Sequence, residues 1–190
     1  MKYIRICPEN NDPSVPHGQS WKVQYQAETR EEAEAKMQAK GFTWEWDDSN
    51  GNCKIISPKL DAVITGSNGK KAFFNSIVAA FKGNVDKYNQ YGKSVVFGDG
   101  SSFSPEIIEE LNDWMHQNKC SYNWQAGDFF VIDNTINFHS RETFVGPRKV
   151  YAAIGRGYFD KLEPMHFRVL KSGDRIPNIA FECVDTSSLQ

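Results

Sequence analysis

His139 closes an apolar run and Arg148 opens the next, nine residues on, within WQAGDFFVIDNTINFHSRETFVGPRKV. An imidazole is a good ligand for iron(II), and a guanidinium can hold a carboxylate through two parallel, charge-assisted hydrogen bonds. The pair suits the late half of a non-haem iron site that also takes an acidic cosubstrate. Such a site uses two histidines and one carboxylate on one face of the metal and keeps the other positions open. The carboxylate and one histidine commonly stand as H-x-D or H-x-E, because strand side chains two apart point the same way.

The chain has four histidines. His17 is followed by Gly18 and Gln19, His116 by Gln117 and Asn118, His139 by Ser140 and Arg141, and His166 by Phe167 and Arg168. No H-x-D or H-x-E is present. The residues thus offer one metal-ligand candidate, His139, and one carboxylate anchor, Arg148, and no catalytic residue is assigned. The plainer readings are a hydrogen-bonding surface histidine and an arginine paired with Glu142. Asp133 and Asn134 suit a turn at a strand end.

The elements that must hold these residues follow from pattern. MKYIRIC alternates and reads as a strand, and PENNDPSVPHGQ as a loop. ETREEAEAKMQAKGF reads as a helix capped by Thr29, with Glu32 three residues on and Gly41 as its stop; its thin apolar face, Ala33 and Met37, places it on the surface. FTWEWDDSNGNCKIISP reads as a β-hairpin, with Trp44 and Trp46 as packing residues. DAVIT, GSNGKK and AFFNSIVAAF suggest a second hairpin running into a loop or short helix, NVDKYNQYGKSVV a polar loop, and FGDG a tight turn. FSPEIIEELNDWMHQNKC is the clearest helix, with Ser104 as cap, Pro105 in the first turn and a stripe of Ile107, Ile108, Leu111, Trp114 and Met115. GDFFVIDN and KVYAAIGRG read as the strands flanking the His139 loop.

The 190 residues suffice for one domain, and an aromatic content of 13% favours a packed, β-rich core. A net charge of −2 without a basic patch gives no nucleic-acid footprint, and no apolar run approaches the roughly 18 residues of a membrane span. The N-terminal stretch lacks an apolar signal core, so a cytoplasmic location is expected. Cys7, Cys53, Cys120 and Cys183 show no C-x-x-C spacing; reduced thiols are expected, with Cys120 a small buried residue.

W-x-x-G-D-x-x-x-I-D-N followed by H-S-R-x-x-F-x-G-P-R resembles the taurine/TfdA-type iron(II) and 2-oxoglutarate-dependent dioxygenases, in particular their plant clavaminate synthase-like branch. GQSWKVQYQAETREEAEAKMQAKGFTWEW, AFFNSIVAAF and FGDG resemble the same branch in the same order, so the likeness spans about residues 2–158. It implies an α+β fold, a partial double-stranded β-helix (jelly roll) with flanking helices, over residues 1–160. It implies His139 as the distal iron ligand and Arg148 as the anchor for the far carboxylate of 2-oxoglutarate. It places Asn75 among the residues lining the cofactor site, and it implies a small-molecule substrate. Ala152 stands where many members carry a second arginine. The missing H-x-D/E motif makes the chain resemble the C-terminal part of such an enzyme, incomplete and inactive alone. The alternative is a catalytically dead binding or interaction module that retains a dicarboxylate pocket. Missing early strands would leave sheet edges to be covered by self-association or by the absent N-terminal portion. Residues 161–190 form a tail in which FRVLKSGDRIPNIAFECVD resembles the opening hairpin of an aldo-keto reductase.

Overall fold

A computed structural model describes residues 1–146 apart from 16, 17, 67, 126, 127, 129 and 144. Arg148, the expected strand KVYAAIGRG and the tail at 161–190 lie outside the described residues. The chain divides into two compact units, one of Met1–Trp114 with Ile132–Phe138, the other of Met115–Val131 with the residues from His139 onward.

The first unit is mixed α and β, built around an antiparallel sheet. Strand β1 (Lys2–Cys7) lies at its centre, paired on one side with β3 (Asn52–Ile56), which also pairs with β2 (Thr43–Asp47). On its other side β1 pairs with β6 (Val95–Val96), giving the order β2-β3-β1-β6. The β2–β3 hairpin has the register Trp44↔Ile55 and Trp46↔Cys53. Its turn is tied by Asp47, whose carboxylate accepts from the Ser49 amide and hydroxyl and from the Asn50 side chain. Gly51 ends the turn at φ 71°, a left-handed conformation that favours glycine. A second, two-stranded sheet joins β4 (Ile64–Thr65) and β5 (Lys71–Ala72).

Two helices cover one end of the main sheet. α1 (Trp21–Tyr25) starts at Ser20, whose side chain accepts from the Val23 amide. α2 (Arg30–Ala39) starts at Thr29, which accepts from the Glu32 amide, while the Glu32 carboxylate turns back to the Glu28 amide. It stops in a Schellman motif: Gly41 donates to Gln38 and Phe42 to Met37. As its thin apolar stripe led one to expect, α2 lies on the surface: only Ala33 and Met37 are buried, packing with Trp21, Tyr25, Cys7, Cys53 and Ile55. The remaining face of α2 is largely exposed. Trp44 and Trp46 pack against this core, and both indoles donate to the Glu34 carboxylate at 3.0 and 2.6 Å, which bears out their reading as hairpin packing.

A second core gathers Ile77, Ala80 and Phe81 of α3 (Ile77–Gly83), Val95 of β6 and Ile108 of α4 (Pro105–Gln117), with Tyr3 packed against it. FGDG is a tight turn: Phe97 accepts from Gly100 and donates to Ser101. Ser104 stands before α4 and donates to the Glu106 carboxylate. Of the expected α4 stripe only Ile108 is fully buried; Ile107 is 49% and Trp114 59% exposed.

In the second unit, Tyr122, Trp124 and Phe130 pack edge-to-face at 4.7–5.7 Å between ring centroids. Asp128 accepts from the Tyr122 hydroxyl at 2.7 Å and from the Gln125 amide at 2.6 Å, and the hydrogen bond to it raises the Tyr122 pKa. Cys120 is exposed, not buried as expected. Across GDFFVIDN the described residues form no strand, and Phe130, Val131 and Ile132 are exposed. An apolar run specifies extended backbone only where a neighbouring strand takes up its amides and carbonyls. None of the sheets among the described residues curls or closes.

Candidate functional site

Asp133 organises the approach to the predicted metal ligand. Its carboxylate accepts from the Thr135 amide at 2.9 Å and the Thr135 hydroxyl at 2.6 Å, and its carbonyl accepts from the Asn137 side chain at 3.0 Å. This is the turn-forming role expected of an aspartate at the end of an apolar run. Phe138 meets Phe73 edge-on at 6.0 Å. His139 follows in the second unit and is exposed. Glu142, the candidate surface partner for Arg148, is paired with Lys119, whose ammonium lowers the Glu142 pKa.

Asn75 belongs to the first unit and is half-buried. Its Nδ2 donates to the Ala62 carbonyl at 3.1 Å and its Oδ1 accepts from the Ile77 amide at 3.0 Å. Ser76, the formal cap of α3, makes no side-chain cap bond, so Asn75 does that work from one residue earlier. The Ser76 amide donates to the Tyr3 hydroxyl at 2.7 Å, tying the same helix start to β1. Both ends of the Asn75 amide are thereby engaged with backbone.

Iron(II) requires a set of protein ligands, and among the described residues no three His, Cys, Asp or Glu side chains converge on a common point. The described residues do not by themselves make up a site for the metal. A concavity of about 540 Å³ on the first unit is lined by Ile6, Glu45, Asp47, Lys54, Lys87 and Tyr88 among others. Neither Asn75 nor His139 lines it. Sequence reading missed α1, although Ser20 ahead of WKVQY is a capping signal. It also missed the Glu34 bridge between two indoles, for which no local signal exists.

These features define an α+β domain with antiparallel sheets, whose His139 and Arg148 stand in a dioxygenase-like sequence motif. The profile of the family described as taurine catabolism dioxygenase TauD, TfdA family matches residues 14–154, and the chain belongs to this family of 2-oxoglutarate-dependent dioxygenases. A clavaminate synthase-like protein of Arabidopsis thaliana is 34% identical over 154 residues, covering 81% of this chain and 47% of that protein. The dapdiamide synthesis protein DdaC of Enterobacter agglomerans is 21% identical over 146 residues, covering 71% of this chain and 44% of its own length. The chain therefore spans less than half the length of either relative. Among the described residues no helix is long and apolar enough to cross a membrane.

Proposed function

We propose that the chain is part of a jelly-roll iron(II)/2-oxoglutarate dioxygenase domain that oxidises a small organic substrate, and that it contributes the cosubstrate-anchoring portion without a complete metal site. The match of the TauD/TfdA profile over residues 14–154 carries this reading. In it, His139 is the distal ligand of iron(II), and Arg148 holds the far carboxylate of 2-oxoglutarate. Iron, when bound in a complete domain, supplies the oxygen-activating chemistry; the contribution of this chain is orientation of the oxo acid. The remainder of a family domain, or a second copy, would cover the exposed apolar residues around Val131. The lack of both an H-x-D/E motif and a three-ligand cluster among the described residues supports a second reading, a binding module that retains the dicarboxylate anchor without turnover.

Calorimetry of 2-oxoglutarate against the protein, Arg148→Ala and Lys149→Ala tests the anchor common to both readings. Loss of a charge-assisted pair costs about 1.5–3 kcal/mol, or roughly tenfold or more in affinity. Arg148→Ala is expected to lose at least that much, and Lys149→Ala to change little, since the expected strand would turn adjacent positions to opposite faces. Weakened binding in Lys149→Ala alone would put the anchor on the wrong residue.

A further inference from the structure

Two of the four cysteines face each other. Cys7, the last residue of β1, and Cys53, the second residue of β3, are directly opposed in the antiparallel register. Both are buried, at 1% and 0% exposure, in the same core beside Trp21 and Met37. Opposed residues on neighbouring strands share a face of the sheet, so the two thiols lie on one side.

Backbone bonding fixes what kind of pair this is. Ser57 donates its amide to the Tyr3 carbonyl at 2.9 Å, in the same register. The amide and carbonyl of Ile6 turn away from β3 and bond the Asn89 side chain instead, at 2.8 and 3.3 Å. Antiparallel pairs alternate, so Tyr3/Ser57, Arg5/Ile55 and Cys7/Cys53 are the hydrogen-bonded ones. The Cα separation of such a pair is about 5.5 Å, inside the range of about 4.4–6.8 Å that disulfides span. Opposed Cβ atoms lie about 4.5–5.5 Å apart, and a disulfide draws them to about 3.5–4.5 Å. A hydrogen-bonded pair sits at the wide end of the first range, so the closing movement is about 1–2 Å.

We propose that Cys7 and Cys53 are a redox site: under oxidising conditions they join in a cross-strand disulfide that staples β1 to the β2–β3 hairpin. A low-molecular-weight disulfide such as oxidised glutathione is the oxidant. One cysteine thiolate attacks it, forming a mixed disulfide and releasing one glutathione thiolate. The second cysteine, as thiolate, attacks the protein-bound sulfur and releases the other. Two cysteine thiols lose two electrons and two protons, and one glutathione disulfide becomes two glutathione thiols. Access comes from the ends of the elements. Cys7 is followed by Pro8 where β1 stops, and Cys53 lies one residue inside the turn that ends at Gly51. Opening of that turn exposes both sulfurs without unfolding the sheet. Burial raises the pKa of both thiols, that of Cys53 to about 12, so the exchange is slow and waits on that opening. Exposed Cys120 reacts faster but lies outside the described strands.

The test uses the full chain with Cys120→Ser and Cys183→Ser, substitutions that leave Cys7 and Cys53 in place. Native protein is equilibrated with oxidised glutathione, then denatured for thiol counting, intact mass and peptide mapping. The expected result is the loss of both remaining thiols, a mass lower by about 2 Da and a linked peptide pair bearing Cys7 and Cys53. Melting of the oxidised form should rise by roughly 10 °C, as for a loop of this size. Persistence of two thiols, two glutathione adducts without a link, or a link formed only in denaturant would each overturn the proposal. Cys7→Ala in the otherwise unchanged chain should abolish the linked peptide, and a 2 Da loss that survives would point to another pair.

Discussion

Asp12 shows how much of this fold hangs on single polar side chains. Its carboxylate, 14% exposed, accepts from the Ser14 amide and hydroxyl and from the Tyr88 hydroxyl at 2.8 Å, and it is paired with Lys87. It thereby ties the loop after β1 to the turn that carries Asn89, which in turn clamps the backbone of Ile6. The Lys87 ammonium, helped by Ser14 and Tyr88, holds the Asp12 carboxyl well below the usual carboxylate range. A depressed folded pKa means stability that is present above the unfolded value, about 4, and lost as pH falls toward the folded one. Asp12→Asn removes the charge and that linkage. The variant is expected to be less stable than the parent at neutral pH and to approach it as the pH falls below about 4, read by urea unfolding across a pH series. A deficit that stays constant down to about pH 2 would mean that the charge of Asp12 is not what matters. The ties to Lys87 and Tyr88 were not legible in the sequence, because these partners lie some seventy residues away and local pattern carries no such information.

Elements were legible where the signal was local. Thr29, Glu32 and Gly41 announce both ends of α2, and DSNG between two alternating runs announces the β2–β3 hairpin, because caps and turns are settled by residues three or four apart. GDFFVIDN, by contrast, reads as a strand yet forms none among its described residues, since strand structure depends on partners that the residue pattern does not supply. α4 falls between the two. Its 13 residues and boundaries follow from Ser104, Pro105 and the apolar stripe, but burial divides that stripe. Ile108 sits fully inside the second core, whereas Ile107 and Trp114 stand on the flank that the first unit leaves open. Ile108→Ala is therefore expected to cost about 2–5 kcal/mol. Ile107→Ala should stay within about 1 kcal/mol, as for a site that makes no cavity. Urea unfolding of the two variants checks this. Equal losses would show that a contact with another surface already buries the Ile107 flank in solution.

At the scale of the whole molecule, the candidate site was legible as a family motif and not as geometry. His139 and Arg148 carry the resemblance, but a facial metal site needs ligands brought from separate strands, and the described residues bring no three together. The chain also spans only 47% of its Arabidopsis relative, so the rest of a metal set can belong to sequence that this chain does not contain. A single imidazole completed by water binds iron(II) weakly, because each further protein ligand adds to the affinity and the described residues bring no three together. Anaerobic titration with iron(II) should therefore show no stoichiometric, sub-micromolar site. The same deficit should appear in melting. A site held at a hundred times its dissociation constant would add about 2.7 kcal/mol to stability, or roughly 5–10 °C for a chain of this size. The expected shift on adding iron(II) without oxygen is close to zero. A shift of several degrees that His139→Ala removes would show that this histidine has found its missing ligands within the chain, and the reading of an incomplete metal site would fall.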